Sequence, residues 1–436
     1  MKRSWLLWMP VVVALVMTGC TGPAPVAQMQ KQGSLKRIDK PKVSSNDPMY
    51  VGANTTGLEL LRRISAEARE GNVIFSPVSL SSALAVLANG AAGDTRTEID
   101  NLVNPERLSP PELNEKCCNL MNHLNNAGYS ENGNRTTLLE MANSIWIQDR
   151  LPVKDAFLST SNTYYGAEVF NVDFRSAGAK NAINRWIAEK THGRIGEHIT
   201  QTAPETVMYI FNSLYFRGKW QDQFDKSKTE KEDFHLGDGS RLRDGLAGGA
   251  TVKVDMMNAE RRIRYYEDGE IQAGEFNYYG CNMLVILPRG DLGEYLKRLD
   301  YARVERILDG MESVKTKIKF PRFSFGRKTR LNDHLKAAGM ETAFDPEAAD
   351  FTGISDRSDG FNLYVSDVSQ ECFISVDEEG TEAAALTSVG LAGSAPPKEV
   401  TPPEFYVNRP FLFLIRENRT GLILFAGKVE NPLARE

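Results

Sequence analysis

Val207-Met208-Tyr209-Ile210-Phe211-Asn212-Ser213-Leu214-Tyr215-Phe216 is a nearly unbroken apolar and aromatic run, interrupted only by Asn212 and Ser213. A half-exposed strand alternates, whereas a run this continuous reads as a strand covered on both faces. Met283 to Leu287, stopped by Pro288, has the same character. Lys315 to Phe325 alternates before a helical pattern near Asn332 to Gly339. At the carboxy end, Phe411 to Ile415 and Leu422 to Phe425 flank Glu417 to Gly421, a hairpin signal with glycine at the turn. Upstream the periodicity changes. Leu58, Leu61, Ile64 and Ala68 recur at helical spacing, Ser79 to Asn89 is an Ala/Leu-rich run opened by Ser76-Pro77, and Ile183, Trp186 and Ile187 mark a helix ending near His192-Gly193. Helices first and strands later predict an α+β architecture.

The 436 residues carry a net charge of −5, far from the basic balance of a nucleic-acid binder, and no basic run exceeds Arg62-Arg63 or Arg261-Arg262. Nucleic acid is excluded as a partner on this reading. The length permits two domains, but single domains built on large sheets also run long.

The first residues read as targeting. Lys2 and Arg3 precede the apolar stretch Trp5 to Val16, which is short beside the roughly 20 residues of a spanning helix. Met17-Thr18-Gly19-Cys20 resembles a bacterial lipobox, which implies a signal peptide over 1–19 and lipidation of Cys20. The alternative is an ordinary signal peptide with an incidental cysteine. Residues 20–48, rich in Pro, Gly, Gln, Lys and Ser, predict a flexible tether. Thr21 stands where Asp marks inner-membrane retention in enterobacterial lipoproteins, which points to the outer membrane of a bacterial envelope, on either face. Cys117, Cys118, Cys281 and Cys372 lie in helical or strand-like apolar runs and read as buried free thiols.

A search for catalytic machinery returns nothing. No GxSxG elbow, HExxH, Walker loop or GxGxxG occurs, and His123, His192, His198, His235 and His334 have no metal-pair spacing. Glu378 and Glu379 are adjacent, so they do not face each other as an acid/base pair. The chain is expected to be no enzyme and to hold no metal or cofactor.

Asn72-Val73-Ile74-Phe75-Ser76-Pro77-Val78-Ser79-Leu80-Ser81-Ser82-Ala83-Leu84 is similar to a segment of the serpin family. The likeness recurs in order. It covers Ile183 to Ile187 with Thr191 to Ile195, Phe211 to Trp220, Glu378 to Ala385, Asn408 to Phe411 and Phe425 to Pro432. It spans the chain from about residue 50, and so implies one serpin domain over 49–436. The serpin fold it implies has amino-terminal helices on a large mixed central sheet, smaller sheets besides, and an exposed reactive-centre loop at about 378–404.

The resemblance implies a suicide inhibitor of a serine, or alternatively cysteine, protease, monomeric, whose cleaved loop inserts into the main sheet. The hinge Glu378-Glu379-Gly380-Thr381-Glu382-Ala383-Ala384-Ala385 suits that step on physical grounds. A segment that leaves water to become a central strand needs small side chains where it first goes in, and no proline. With period two, Thr381, Ala383 and Ala385 share one face. The other reading is a flexible Ala-rich loop in a non-inhibitory serpin that acts as a binding or adhesion module. Seventeen residues counted from Glu378 inclusive put the reactive bond at Ser394–Ala395. A count back from Pro402-Pro403-Glu404 and Asn408 to Phe411 gives Glu399–Val400, with Leu391 and Lys398 as further candidates. Small residues around Ser394 suit an elastase-like or subtilisin-like enzyme. Ser76, Ser79 and Asn212 occupy shutter positions. Gln370 stands where many serpins carry histidine, which removes any pH-sensitive role there. Trp220 is the breach tryptophan, and Arg322 is expected to pair with Glu378. Arg107 to Asn126 holds only Arg107, Lys116 and His123 as basic residues, so heparin activation is not expected.

Overall fold

A computed structural model describes residues 27–31, 33–68, 71–127, 136–193, 199–200, 202–203, 205–237, 250–356, 362–381 and 401–435. The predicted helices form. α1 (Pro48–Glu67) is capped by Asp47, whose side chain accepts from Met49 N, and α2 (Pro77–Ala88) by Ser76, with proline at the first turn of each. α3 (Gly93–Val103), α4 (Pro110–Asn126), α5 (Asp155–Tyr165) and α6 (Ala177–Lys190) follow. A capping box between Ser109 and Glu112 starts α4. Three shorter helices are α7 (Leu292–Lys297), α8 (Tyr301–Asp309) and α9 (Asn332–Ala337).

The main sheet holds β1 (Ala27–Lys31), β3 (Thr137–Gln148), β4 (Glu168–Val172), β5 (Met208–Lys219), β11 (Phe323–Arg330), β12 (Asp367–Asp377) and β13 (Gly380–Thr381). Its order is β1-β4-β3-β5-β13-β12-β11, with β5 also pairing β12 directly. The other strands are β2 (Val73–Phe75), β6 (Glu230–His235), β7 (Thr251–Glu267), β8 (Ile271–Asn277), β9 (Cys281–Pro288), β10 (Glu312–Pro321), β14 (Glu404–Tyr406), β15 (Phe411–Glu417) and β16 (Ile423–Val429). They hydrogen-bond into a second, nine-stranded assembly.

The run at 207–216 is β5, covered on both faces. Tyr209 and Phe211 join Trp146 and Phe170 beneath α6, which buries Ala179, Ile183, Trp186 and Ile187 there. Ile210, Leu214 and Phe216 point the other way, into the large core shared with α2. The alternation of faces along a strand thus needs two apolar covers, and α2 and α6 supply them. All four described cysteines are free and buried.

The flexible tether expected over 20–48 does not extend over its described part. β1 pairs antiparallel with β4, Ala27 opposite Val172 and Met29 opposite Phe170. Beyond it, Lys36 N donates to Thr163 O at 2.7 Å, and Lys36 Nζ meets Glu115 at 2.8 Å. Asn122 on α4 donates to Lys36 O and accepts from Ile38 N, both at 2.9 Å, while Asn119 accepts from Lys42 N at 2.7 Å. The docking is backbone-mediated, which is why a polar, aperiodic composition gave no sign of it. Asn122→Ala removes both of those pairings, at a cost of about 1–3 kcal/mol to the docked segment. Limited proteolysis should then cut within 33–45 faster, with global melting little changed.

Candidate functional site

The candidate site is the gap between β5 and β12 that β13 enters. β5 and β12 run parallel and pair from Asp367 opposite Tyr209 to Cys372 opposite Leu214. Above that ladder they diverge, and β13 fills the space. Gly380 lies opposite Lys219 and Thr381 opposite Gly218 on one side, and on the other Gly380 faces Asp377 and Thr381 faces Val376. The chain turns back between β12 and β13 through a bend closed by Asp377, whose Oδ1 accepts from Glu379 N at 2.9 Å and Gly380 N at 3.2 Å.

Gly380 has φ +145°, and a Cβ there would sit 2.1 Å from Gly218 O and 2.7 Å from Lys219 Cα. Both obstacles are backbone, so only glycine passes. Gly380→Ala should therefore expel β13 from the gap. A changed tryptophan emission spectrum, because Trp220 packs at this point, is the expected readout.

Thr381 is 1% exposed, and its hydroxyl lies 2.8 Å from Tyr278 Oη. Trp220 stacks on Tyr278 with ring centroids 4.2 Å apart. Its indole donates to Asp377 O at 2.9 Å, and its backbone N to Glu379 O at 3.0 Å. Glu378 is fully buried. It accepts from Arg322 Nε at 2.7 Å and from Thr229 Oγ1 at 2.5 Å, and Phe224 N donates to its carbonyl at 2.9 Å. Glu379 pairs with Lys226. The contacts that fix the hinge base thus come from β5, β12, the segment just after β5, Tyr278 between β8 and β9, and Arg322 between β10 and β11, and they hold Thr381 seated.

Burial alone would raise the Glu378 carboxyl, but the bonds from Arg322 and Thr229 outweigh it and hold the group below its ordinary value. A depressed carboxyl stabilises the hinge above the unfolded-state pKa, and that contribution is lost as pH falls through the folded value. Asp377 works the other way, since burial above all pushes its carboxyl up. The expected result is specific to Glu378. The stability gap between the native chain and Glu378→Gln, read by denaturant unfolding, narrows as pH drops below about 4.3, the ordinary glutamate value.

A second polar cluster lies beneath the β5–β12 ladder. Gln370 on β12 accepts from Ser76 N at 2.7 Å and donates to Ser76 O and Asn212 Oδ1, both at 3.0 Å. Asn212 on β5 donates to Ser79 O at 2.8 Å and to Asn143 Oδ1 at 2.5 Å, and Asn143 donates to Ser82 Oγ at 3.0 Å. Ser76 Oγ donates to Leu424 O at 2.7 Å. The cluster ties both strands of the closed gap to α2. Its members satisfy one another through amides and hydroxyls, none of which titrates near neutrality. Ser79 contributes its carbonyl, while its buried hydroxyl has no partner among the described residues.

Sequence reading named Ser76, Ser79, Asn212, Gln370, Trp220, Arg322 and Glu378 to Thr381, and these fall into the two clusters above. It missed Tyr278, Asp377, Thr229 and Lys226, none of which carries a local signal. Asn143 did carry one: Asn143-Ser144 breaks an apolar strand just as Asn212-Ser213 does, and the two asparagines are cross-strand partners. Glu382, Ala383, Ala384, Ala385, Leu391, Ser394, Ala395, Lys398, Glu399 and Val400 lie outside the described residues, as does Cys20.

Comparison with known proteins agrees with this geometry. The model of the serpin family (serine protease inhibitor) matches residues 52–432. A serpin-like protein of Thermococcus kodakarensis is 34% identical over 401 residues, which is 91% of this chain and 88% of that one. The leukocyte elastase inhibitor of Xenopus tropicalis is 30% identical over 387 residues, 86% of this chain and 97% of its own. Among solved structures, thyroxine-binding globulin in complex with thyroxine superimposes with a TM-score of 0.77 at 27% identity, covering 89% of this chain and all of that one. The chain belongs to the serpin family and has its fold.

Proposed function

We propose that this serpin is a single-use inhibitor that traps a serine protease as a covalent acyl complex, with a cysteine protease as the lesser alternative. The observation that carries the reading is Thr381 seated in a gap whose downward continuation is closed by only one parallel ladder. Admitting a strand between β5 and β12 breaks the pairings from Asp367 to Cys372 and replaces them with two antiparallel ladders, so the sheet gains hydrogen bonds and buried area. The intact chain therefore holds its loop out of a better-paired arrangement, which family likeness calls the stressed form.

The steps follow from that asymmetry. The protease serine Oγ attacks the carbonyl carbon of the residue before the reactive bond. Its ester forms as the peptide bond breaks, and the amine of the next residue departs with a proton. The freed amino-terminal arm then descends. Fifteen residues from Gly380 to Ser394, at about 3.3 Å each, span about 50 Å. Continuing the register of Gly380 with Lys219 residue by residue puts Leu391 opposite Met208, the first residue of β5, and Ser394 opposite Glu205, just past the strand. A bond at Ser394–Ala395 thus carries the ester beyond the end of the sheet, whereas one after Leu391 leaves it within the last rung. That favours Ser394 and an elastase-like or subtilisin-like target, with small residues around the bond. The protein is consumed in the process and acts as no catalyst.

We further propose that the chain is a monomeric lipoprotein of a bacterial envelope, anchored through Cys20 in the outer membrane, on its periplasmic or its surface face. The lipobox-like Met17 to Cys20 supports this, and Cys20→Ser should abolish membrane association.

The second reading, a non-inhibitory binding module, is favoured by the likeness to thyroxine-binding globulin, since one fold serves both roles. Incubation with an elastase-like and a subtilisin-like protease separates them. A denaturant-stable complex plus a released peptide beginning at Ala395 is expected. Cleavage without a complex would leave the binding-module reading.

A further inference from the structure

The docking of the amino-terminal segment determines which end of the molecule a lipid anchor can hold. Ala27 pairs with Val172, and Val172 with Gln148. Gln148 N donates to Val207 O, and Ser366 N to Met208 O. These residues form one row across the main sheet, at the end opposite the hinge. The hinge row is Thr381, Gly218 and Thr137. From Met208 to Gly218 the two rows are separated by about 33 Å along β5. The chain reaches β1 from that far end, because β4 runs parallel to β3 and antiparallel to both β5 and β1.

Seven residue steps separate Cys20 from Ala27, which limits their separation to about 25 Å however the chain runs. Were the segment to 47 free, as its composition suggests, 28 steps would lie between Cys20 and Pro48, and about 100 Å of reach would permit any orientation. The pairings of β1 and the bonds from Asn122, Asn119, Glu115 and Thr163 remove that freedom.

We propose that the anchored protein stands on the membrane with the far end of its main sheet toward the lipid headgroups and its reactive loop toward the aqueous space. The proposal rests on the anchor reading given above. It has a consequence for the trapped enzyme. The register that brings Ser394 opposite Glu205 passes the Ala27 row at Val207 and ends two residues beyond it. Capture therefore begins away from the lipid and finishes with the protease carried to the membrane side of the inhibitor.

The test uses the full chain, isolated from membranes and reconstituted into phosphatidylethanolamine–phosphatidylglycerol vesicles carrying an acceptor dye on the headgroups. Two variants, each with one added cysteine, take a donor dye at exposed sites, Arg150→Cys beside the Val172 row and Lys228→Cys near the hinge. The four described native thiols are buried and stay unlabelled under native conditions. Energy transfer should be strong from position 150 and several-fold weaker from 228. Equal transfer in the native background, or stronger transfer from 228, overturns the orientation. The mass of the amino-terminal peptide is read in the same preparation. An unlipidated Cys20 overturns the anchor reading and the orientation with it, so the two failures are told apart.

Discussion

Thr381→Arg abolishes the denaturant-stable protease complex while leaving a folded chain that is still cleaved. In the intact protein Thr381 occupies a closed pocket beside Tyr278 and Trp220, and a guanidinium there would be taken out of water in a space that threonine fills. Burying a charge costs several kcal/mol even after relaxation. The intact molecule escapes that cost by letting β13 slip out, since only two residues are lost from the sheet. The cleaved arm has no such escape, because insertion must pass the same point before any later rung can form. Deacylation then outruns insertion, and the protease is released active. Gel electrophoresis with the cognate protease and a titration of residual activity read the result. A persistent complex at wild-type yield would mean that the arm does not travel through the β5–β12 gap. Thr381→Ser, which keeps the hydroxyl, should retain the complex.

Chain cut once within 386–399 melts at a markedly higher temperature than intact chain. One parallel ladder is exchanged for two antiparallel ladders, and the alanines at 383–385 become buried in a central strand. A gain of several kcal/mol in a domain this large raises the melting temperature by about 5 °C, at roughly 1.2 °C per kcal/mol. Scanning calorimetry of protein clipped by a non-target protease measures it. Equal melting of cut and uncut protein removes the driving force on which the inhibitor reading depends, and the binding module is then the better account. A rise in melting together with failure to trap any protease would instead point to a wrong target or a wrong bond.

The architecture was legible because its strongest signals are local. β5 reads from ten consecutive residues, α2 from Ser76-Pro77 and the alanines and leucines behind it, and the terminal hairpin from its glycine turn. The hinge base was partly legible, through small residues after Glu379 and the charge complement of Arg322 and Glu378. What stayed hidden depends on contacts distant in sequence. Tyr278 reaches Thr381 across 103 positions, and Thr229 reaches Glu378 across 149. Neither has a neighbour whose type announces the contact. The segment 27–47 was misread for another reason. Its hold on the body comes from its own backbone groups and from amides on α4, and composition counts side chains, not carbonyls.

β1 has one more effect. A strand that borders a sheet presents unpaired amide and carbonyl groups, a template on which other chains can grow. Here one outer margin of the main sheet is β1 itself, an edge strand of only five residues. The opposite margin, β11, carries Arg327, Lys328 and Arg330, whose charges discourage a newcomer. Self-association through the flanks is thereby suppressed, and the β5–β12 seam is left as the place where a foreign strand could lodge. Any fibre this protein forms should thus grow by one molecule lending its loop to the next, and a short synthetic peptide of the sequence 380–394 should block that growth by occupying the seam first.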